Sequence, residues 1–311
     1  MIWLLAIAAL ILGLLLTPLL REKLRKPITE ALRRDAPGDF AELSAGLTHY
    51  RWIGPARGPV AVCIHGVSTP SEGFLPLAQE LTEMGYRVLL YDIYGRGYSD
   101  YVPGPQDRAF FHQQLQELLA HEGIVEDFTL IGYSAGGSIA SSFAAEHLPR
   151  VRQLTLIATM GMHHPKSQMA RFLEQRNGAF DVILRLHYHI AVRRYMRAAL
   201  ADPKIPEDIA RAQRAQLQRR GFFPSYLAAI RGILRTLNDE DQRLFNQQGL
   251  PVLAIWAGAD QFIPRQVIGH LAEVNRSAKQ DVIEGADHGV LFTHPTEIAR
   301  IIAENLRLGL Y

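Results

Sequence analysis

The sequence predicts an α/β fold built on a doubly wound, mostly parallel sheet, with a helical insertion and an apolar N-terminal helix. Short apolar runs alternate with helical patterns over most of the chain, one long helical stretch interrupts them, and residues 1–20 are almost entirely hydrocarbon. The 311 residues, 48% of them hydrophobic, suffice for a large buried core. This excludes a disulfide-stapled miniprotein and a disordered tail.

Residues 1–20 are predicted to form a transmembrane helix. Thr17 is the only polar side chain in this segment, and a helix of this length spans about 30 Å, the thickness of a bilayer core. A cleaved signal peptide is the alternative, but it normally begins with a basic region and ends at an Ala-x-Ala-like site. The first basic side chain here is Arg21. We interpret the segment as a retained, single-pass anchor.

Residues 21–38 are predicted to form an amphipathic juxtamembrane helix, broken or kinked near Pro27. Leu24, Ile28 and Leu32 recur every four residues between basic side chains, a pattern that fits a helix on the lipid surface or a solvated linker helix. The basic residues after the span place the globular part in the cytoplasm by the positive-inside rule. A single span with short flanks leaves the opposite orientation open. The expected location is the inner (cytoplasmic) membrane.

The globular core is predicted over residues 39–160 and 249–311. Runs that are apolar on both faces are typical of central strands in a parallel sheet. Such runs lie at residues 48–52, 60–65, 86–91, 128–132, 153–158, 251–256 and 280–283. Helical patterns lie between them at residues 74–84, 110–122, 136–147, 267–274 and 296–306. The alternation predicts the doubly wound sheet.

Residues 161–248 are predicted to form a helical cap, or lid, over one end of the sheet. The stretch is too long and too periodic for a loop. Methionine and aromatic side chains concentrate at its start, and flexible thioethers and aromatics suit an acyl-chain pocket. The predicted substrate-binding residues are Met160, Met162, Phe172, Phe180 and Tyr188. The alternative is that these side chains pack the cap onto the core.

The segment after the fourth predicted strand carries a nucleophile motif. It reads Gly132-Tyr133-Ser134-Ala135-Gly136, which is G-x-S-x-G in the strand–turn–helix context that its chemistry needs. Glycines on either side permit the tight turn that exposes the serine oxygen, and the helix N-terminus that follows favours negative charge. The pattern predicts Ser134 as the nucleophile.

An acid and a histidine follow in the order that a serine triad on such a sheet requires. Asp260 lies just after one late strand, and His288 follows the next. As general base, His288 takes the Ser134 proton and later returns it to the leaving alcohol. Asp287 is a rival acid, but it is adjacent to the histidine and poorly placed to reach its ring.

An oxyanion hole needs two backbone N–H groups aimed at the developing negative charge. Ala135, the residue after the nucleophile, is predicted to supply one of them. Val67 is predicted to supply the other, in the loop after the first long central strand, where Gly66 permits the turn. A plain strand–helix turn is the alternative reading of that loop.

Charge and composition exclude several function classes. The formal net charge is +2, with the basic excess before residue 35 and no basic patch interleaved with aromatics, which argues against nucleic-acid binding. The predicted span holds no charged residue, which argues against transport. No cofactor and no metal are predicted, since His187 and His189 lack a neighbouring cysteine or a Glu-x-x-His pattern.

Five motifs together resemble the α/β-hydrolase superfamily over residues 47–308. They are His65-Gly66-Val67, Asp92-Ile93-Tyr94-Gly95-Arg96-Gly97-Tyr98-Ser99-Asp100, Gly132-Tyr133-Ser134-Ala135-Gly136, Asp260 and Asp287-His288-Gly289. The serine nucleophile differs from the aspartate of haloalkane dehalogenases and epoxide hydrolases. The second motif looks like the D-x-x-G-x-G-x-S loop of esterases and lipases, which shapes a turn and its packing. The resemblance implies a carboxylic ester hydrolase with a Ser-His-Asp triad.

With its N-terminal span, the chain is similar to membrane-anchored bacterial phospholipase A and monoacylglycerol lipase-like enzymes. That resemblance implies a homodimer linked through the transmembrane and juxtamembrane helices, acting on membrane glycerolipids. Ala9 and Gly13 form a small-xxx-small pair that lets two helices approach closely. The sequence thus predicts a membrane-anchored lipase, phospholipase or lysophospholipase that cleaves fatty-acyl esters of the bilayer through an acyl-enzyme on Ser134. A general short-chain carboxylesterase and a C–C bond hydrolase or perhydrolase of the same fold are the alternatives.

Overall fold

A computed structural model describes residues 2–162, 194 and 203–307 of the chain. Its centre is one eight-stranded sheet in the order β1-β2-β4-β3-β5-β6-β7-β8. The strands are β1 (Asp39–Leu43), β2 (Gly46–Ile53), β3 (Val60–Ile64), β4 (Arg87–Tyr91), β5 (Phe128–Tyr133), β6 (Val151–Ile157), β7 (Val252–Ala257) and β8 (Lys279–Ile283). The α/β fold predicted from the sequence is confirmed.

Helices pack on both faces of this sheet. Those described are α1 (Ile2–Lys23), α2 (Glu30–Arg34), α3 (Leu75–Glu83), α4 (Arg108–His121), α5 (Ala135–Glu146), α6 (Glu207–Gln216), α7 (Phe222–Arg231), α8 (Asp239–Gln248), α9 (Gln266–Val274), α10 (Val290–Thr293) and α11 (Pro295–Arg307). One hydrophobic cluster joins the sheet to α4, α5, α8 and α9. A second joins its other face to α3, α10 and α11. The central strands are buried on both sides, which explains their continuous apolar runs.

The parallel register brings four strand ends to one edge. In β3 and β5 Ile64 lies opposite Gly132, and in β7 and β8 Ala257 lies opposite Ile283. Because all four strands run in the same direction, the loops that follow them leave the sheet on the same side. We call this side the catalytic edge, meaning the loops after β3, β5, β7 and β8.

The first strand was not predicted. β1 pairs antiparallel with β2, whose partner on the other side, β4, is also antiparallel to it. β1 is only five residues long and exposes Asp39 and Glu42. A short edge strand with charged side chains has no hydrophobic run to mark it, so the segment resembles a linker in sequence.

The structure corrects the predicted juxtamembrane helix over residues 21–38. α1 continues to Lys23, and only the five residues of α2 are helical after it. The interruption lies at Pro27, which has no N–H to donate and disfavours a helical residue before it. Thr29 then starts α2 by accepting a hydrogen bond from Leu32 N at 3.2 Å.

The described part of the predicted cap consists of α6, α7 and α8. Residues 163–193 and 195–202 of the cap lie outside the described residues. The Arg108 guanidinium on α4 pairs with the Asp241 carboxylate on α8 at 2.7 Å. Ser138 Oγ on α5 donates to Asn238 Oδ1 at 2.7 Å. These contacts fix α8 against the core.

Among the described residues, α1 is the one helix whose length and composition suit a membrane span. Its side chains are largely exposed, with Ile2 and Trp3 each about four-fifths accessible. Soluble monomers rarely expose an apolar surface of this extent. α1 meets the rest of the chain in its last turns, where Pro18 is buried and Lys23 O accepts from Arg220 Nη2 at 2.6 Å.

Candidate active site

Ser134 occupies a strained turn between β5 and α5. Its φ of 54° lies in the left-handed region, which costs a non-glycine residue about 1–3 kcal/mol. Backbone hydrogen bonds hold it there: Ser134 N donates to Ile157 O at 3.0 Å, and Met160 N donates to Ser134 O at 2.9 Å. The surrounding strands thus impose the conformation that presents the side chain at the catalytic edge.

The flanking glycines are needed because backbones approach closely here. A Cβ at Gly132 would lie 2.5 Å from the carbonyl oxygen of Gly136. A Cβ at Gly136 would collide with the carbonyl oxygen of Ile64 in β3. Each glycine of the G-x-S-x-G pattern therefore has a steric reason beyond turn flexibility.

Three side chains from distant parts of the chain form one hydrogen-bonded line. His288 Nε2 lies 3.0 Å from Ser134 Oγ, and His288 Nδ1 lies 2.7 Å from Asp260 Oδ2. Because the Asp260 carboxylate accepts at Nδ1, this nitrogen carries the proton and Nε2 is left to accept from the serine hydroxyl. The arrangement can deprotonate Ser134 as it attacks an electrophile.

The loop after β7 fixes the Asp260 carboxylate. Its Oδ1 accepts from Phe262 N at 2.7 Å and Ile263 N at 3.0 Å, and the side chain is only 1% exposed. Ala259 N donates to Ala286 O at 2.8 Å, which ties this loop to the one that carries His288. Both oxygens of the carboxylate therefore have partners, and its geometry toward the imidazole is set.

The His288 ring is held from several sides. It lies between the rings of Tyr133 and Phe262, with centroid distances of 5.5 and 5.2 Å. Tyr133 Oη donates to His288 O at 2.7 Å. The rival acid Asp287 instead accepts from Gly289 N at 2.8 Å within its own turn. The structure thus brings Asp260, and not Asp287, to the ring.

The two predicted oxyanion-hole donors flank the nucleophile. Ala135 is the first residue of α5, and the first N–H groups of a helix have no partner within the helix. The loop after β3 lies against Ser134, because a Cβ at Gly66 would be 3.2 Å from Ser134 Cβ. Gly66 and Val67 therefore border the space where a carbonyl oxygen would develop charge.

His65 fixes the peptide unit that carries the Val67 N–H. His65 Nε2 accepts from Ile93 N at 3.0 Å, so its proton is on Nδ1, which donates to Gly66 O at 2.6 Å. Burial lowers the pKa of His65 to about 4, so the ring is neutral, as these two bonds require. Since N–H and C=O of a trans peptide point in opposite directions, Val67 N–H is turned away from His65.

Arg96 holds the same loop from its other side. Its guanidinium is fully buried, and Arg96 Nε donates to Val67 O at 3.0 Å. Arg96 Nη1 donates to Gln106 Oε1 at 3.1 Å and to Ser225 Oγ on α7. The single cation Arg96 thus joins the loop after β3 to the cap. Its position in a G-x-G turn was the only sequence signal for this role.

Asp92 organises a buried network behind the loop. His49 Nδ1 lies 2.7 Å from Asp92 Oδ2, and His49 Nε2 lies 2.7 Å from Pro37 O. Both ring nitrogens face acceptors, so both must donate and the ring is an imidazolium. Although burial lowers it, the hydrogen bond and charge of Asp92 raise the pKa of His49 above 6.5. Ser71 N donates to Asp92 Oδ1 at 2.9 Å.

The predicted substrate-binding residues are only partly described. Met160 is half-buried beside Ser134 and packs against the core, while Met162 is buried within that core, as the alternative reading expected. Phe172, Phe180 and Tyr188 lie outside the described residues, as do His187 and His189. In the part of the chain that is described, no group of three or more histidine, cysteine or acidic side chains could hold a metal ion.

Comparisons with known proteins agree on the type of fold. A family model for the alpha/beta hydrolase family matches residues 61–301. A pimeloyl-[acyl-carrier protein] methyl ester esterase of Aliivibrio salmonicida is 27% identical over 251 residues, 80% of this chain and 93% of that protein. A 2-hydroxy-6-oxononadienedioate/2-hydroxy-6-oxononatrienedioate hydrolase of Paraburkholderia xenovorans is 24% identical over 266 residues, 83% of this chain and 90% of that protein. A solved membrane phospholipase A, described as a novel bacterial virulence factor, matches with a TM-score of 0.70 at 19% identity, and the match covers 99% of this chain and 96% of that chain.

Proposed function

This chain belongs to the alpha/beta hydrolase family, and from that premise we propose that it is a membrane-anchored serine esterase acting on fatty-acyl esters of bilayer glycerolipids. The observation that carries the chemistry is the line of hydrogen bonds from Ser134 through His288 to Asp260. The family model and the esterase relatives support hydrolysis. The lipid substrate and the membrane location are the further parts of the proposal.

The acylation step follows from the geometry. Ser134 Oγ attacks the ester carbonyl carbon while His288 Nε2 takes the hydroxyl proton. The N–H groups of Ala135 and Val67 stabilise the oxyanion of the tetrahedral intermediate. Asp260 stabilises the imidazolium that forms. Collapse of the intermediate breaks the bond to the alcohol, which leaves with the proton held by His288.

Deacylation reverses these roles with water. His288 removes a proton from a water molecule that attacks the acyl carbon, and the second tetrahedral intermediate uses the same two N–H groups. Its collapse releases the carboxylic acid and returns the proton to Ser134 Oγ. In this cycle His288 accepts and returns every proton that is transferred, and no step uses a metal or cofactor.

The exposed apolar surface of α1 supports the membrane part of the proposal. A helix of 22 residues is about 33 Å long, enough to cross a bilayer core. Arg21, Lys23 and Lys26 follow the apolar stretch, where cations favour the cytoplasmic side of a membrane. The solved membrane phospholipase A supports it too, because that match covers nearly the whole chain, including the N-terminal segment.

A homodimer through α1 is also part of the proposal. An added Cβ at Gly13 would meet no atom within 4 Å, so this face of α1 is open to a second helix. Small residues let helix backbones approach closely in a membrane. Cross-linking of cysteine variants at Gly13 in vesicles tests this part, since a monomer at every protein-to-lipid ratio would remove it.

The second candidate is an esterase of small or soluble esters, with a C–C bond hydrolase beside it. The methyl ester esterase and the dienedioate hydrolase among the relatives favour these readings. In either case the triad would be the same and α1 would only localise the enzyme.

The decisive experiment is a substrate profile of detergent-purified protein. Esters of graded acyl length, a monoacylglycerol, a lysophospholipid, a diacyl phospholipid and a dienedioate ring-cleavage product are compared, with Ser134→Ala in parallel. The proposal expects fatty acid release from the glycerolipids, rising with chain length, and none from the variant. Cleavage of short esters alone would establish the second candidate, and cleavage of the dienedioate alone would establish the C–C hydrolase.

A further inference from the structure

A cavity of about 560 Å³ lies where the end of α1 meets the cap. Two segments form most of it, residues 16–26 at and after the end of α1 and residues 217–227 of the cap, and Tyr101 lines it too. We call the two segments together the α1–cap junction. Its apolar walls are Leu16, Leu19 and Leu20 on one side and Phe223, Pro224 and Leu227 on the other. Its charged lining residues are Glu22, Lys23 and Arg220, and we call the part of the cavity that they line its mouth.

Backbone hydrogen bonds hold the two segments together. Lys26 N donates to Gln218 O at 3.1 Å, and Arg220 N donates to Lys26 O at 2.9 Å. Arg220 Nη2 also donates to Lys23 O, in the last turn of α1, at 2.6 Å. The cavity is therefore bounded by a defined contact between the end of α1 and the cap.

The charges at the mouth do not cancel. Arg25 donates to Leu217 O, lies 4.3 Å above the Phe223 ring and pairs with Glu22 Oε2 at 3.0 Å. The other oxygen, Glu22 Oε1, accepts from Gly221 N at 2.5 Å. Because Arg25 balances the acid, the charges of Lys23 and Arg220 leave the mouth positive.

The walls are too apolar for water to fill the cavity favourably. Leu19 and Leu20 on α1 are about half exposed although they face the cap, and their exposed atoms are hydrocarbon. Filling such a space with an alkyl chain removes apolar surface from water, worth about 25 cal/mol for each Å². The volume lies within the roughly 300–1,000 Å³ of ligand sites.

The depth of the cavity relative to a bilayer identifies the occupant. The apolar walls belong to the last turns of α1, and the cations lie where the chain leaves the span. An acyl chain would lie beside the leucines while a phosphate reached the mouth, and basic groups at this level attract anionic lipid. We propose that the α1–cap junction binds one anionic phospholipid of the surrounding bilayer, with an acyl chain in the cavity and its phosphate at Lys23 and Arg220.

This inference rests on the membrane attachment proposed above, but not on which ester is cleaved. The test therefore uses the full chain with Ser134→Ala, so that no lipid is hydrolysed. The protein is placed in phosphatidylcholine vesicles doped, in separate samples, with phosphatidylglycerol or with phosphatidylcholine that carries a diazirine in one acyl chain. After illumination, the labelled peptides are mapped by mass spectrometry. Labels should concentrate at residues 16–20 and 223–227.

Two pairs of matched variants test the walls and the mouth separately. Leu19→Trp fills the cavity and should reduce labelling at residues 223–227 about tenfold, whereas Leu10→Trp, on the exposed part of the same helix, should not. Lys23→Gln should reduce the preference for phosphatidylglycerol over phosphatidylcholine about fivefold. Arg21 is an exposed cation in the same turn and does not line the cavity, so Arg21→Gln should leave this lipid preference unchanged.

The outcomes separate this inference from the proposed function. Labels spread evenly along α1, or an equal effect of Leu10→Trp and Leu19→Trp, would overturn the site even if the wild type hydrolyses lipid. Equal labelling by the two lipids would overturn the role of the cations. Localised labelling in a chain whose wild type cleaves only soluble esters would support the site and remove the lipid substrate.

Discussion

At the catalytic edge the Asp260 carboxylate is 1% exposed and both of its oxygens accept hydrogen bonds, whereas at the α1–cap junction Leu19 remains 49% exposed. The edge is assembled from four loops of one sheet, so each catalytic group is held by several neighbours. The junction joins a single helix to the cap through a few contacts and leaves apolar surface uncovered. We therefore expect the rate of reaction to depend on the catalytic edge. We expect the contact of the chain with its surroundings to depend on the α1–cap junction.

The largest effect is expected at the rigid edge. His288→Gln removes the base and should lower kcat by about 10⁴-fold or more, with little change in the free energy of unfolding. His112→Gln is the matched control, because His112 is also hydrogen-bonded on both ring nitrogens, to Glu146 and Ser142, but packs between α4 and α5. It should reduce the melting temperature and preserve kcat. A comparable loss of kcat in both variants would mean that burial, and not base catalysis, explains the result.

A smaller effect on kcat is expected from the link that Arg96 makes between the cap and the catalytic edge. Arg96→Gln removes the donor to Val67 O and should lower kcat about 10- to 100-fold while KM changes little, since one oxyanion donor is worth roughly 10²–10³. Affinity for a trifluoromethyl ketone, which forms a tetrahedral adduct, should fall in parallel. Arg108→Gln also breaks a link between core and cap, to Asp241, without touching the loop. If it lowers kcat equally, Arg96 acts only by fastening the cap.

The His49 network makes a prediction about pH. The pKa of His49 is raised in the folded chain. The contribution of His49 to stability is therefore fully present below about pH 6.5 and is lost as the pH rises through the higher folded pKa. His49→Gln should therefore cost about 1–2 kcal/mol in free energy of unfolding at pH 6 and less at pH 9. Urea titrations at both values measure it. A cost that grows with pH would show that the ring is neutral in the folded protein.

The smallest effect is expected at the junction. Arg25→Gln removes the stacking on Phe223 and should loosen residues 217–223 by about 1 kcal/mol. Hydrogen exchange of that segment measures the change, with Arg21→Gln as the control. Activity on a soluble ester should stay constant, because Arg25 contacts Glu22, Leu217 and Phe223 at the α1–cap junction. A fall in that activity would show that the α1–cap junction and the catalytic edge are coupled, which we do not expect.

The sequence predicted most of the reactive residues at the catalytic edge, but few of the hydrogen bonds that hold the loops carrying them. Ser134, Asp260 and His288 were identifiable because each follows a recognisable strand in a fixed order. The bonds from Ile93 N to His65 Nε2 and from Arg96 to Ser225 link segments far apart in the chain, and no local pattern encodes them. They become visible only when the fold brings these segments together.

Local sequence predicts the N-terminal end of the molecule less well. β1 exposes two acids and was not predicted as a strand, although pairing with β2 makes it one. The predicted helix over residues 21–38 has apolar side chains at helical spacing, but Pro27 limits it. Lys26 instead pairs with the cap segment. Tertiary contacts outweigh local propensity where a segment is short.

The most direct test of the central claim is to trap the acyl-enzyme. Wild-type protein is mixed with a long-chain lysophospholipid, quenched in acid within the first turnover, digested and analysed by mass spectrometry. The account predicts one acyl adduct on the peptide that carries Ser134, removed by hydroxylamine and absent from Ser134→Ala. Fatty acid release with no adduct at Ser134, or an adduct on another residue, would contradict it.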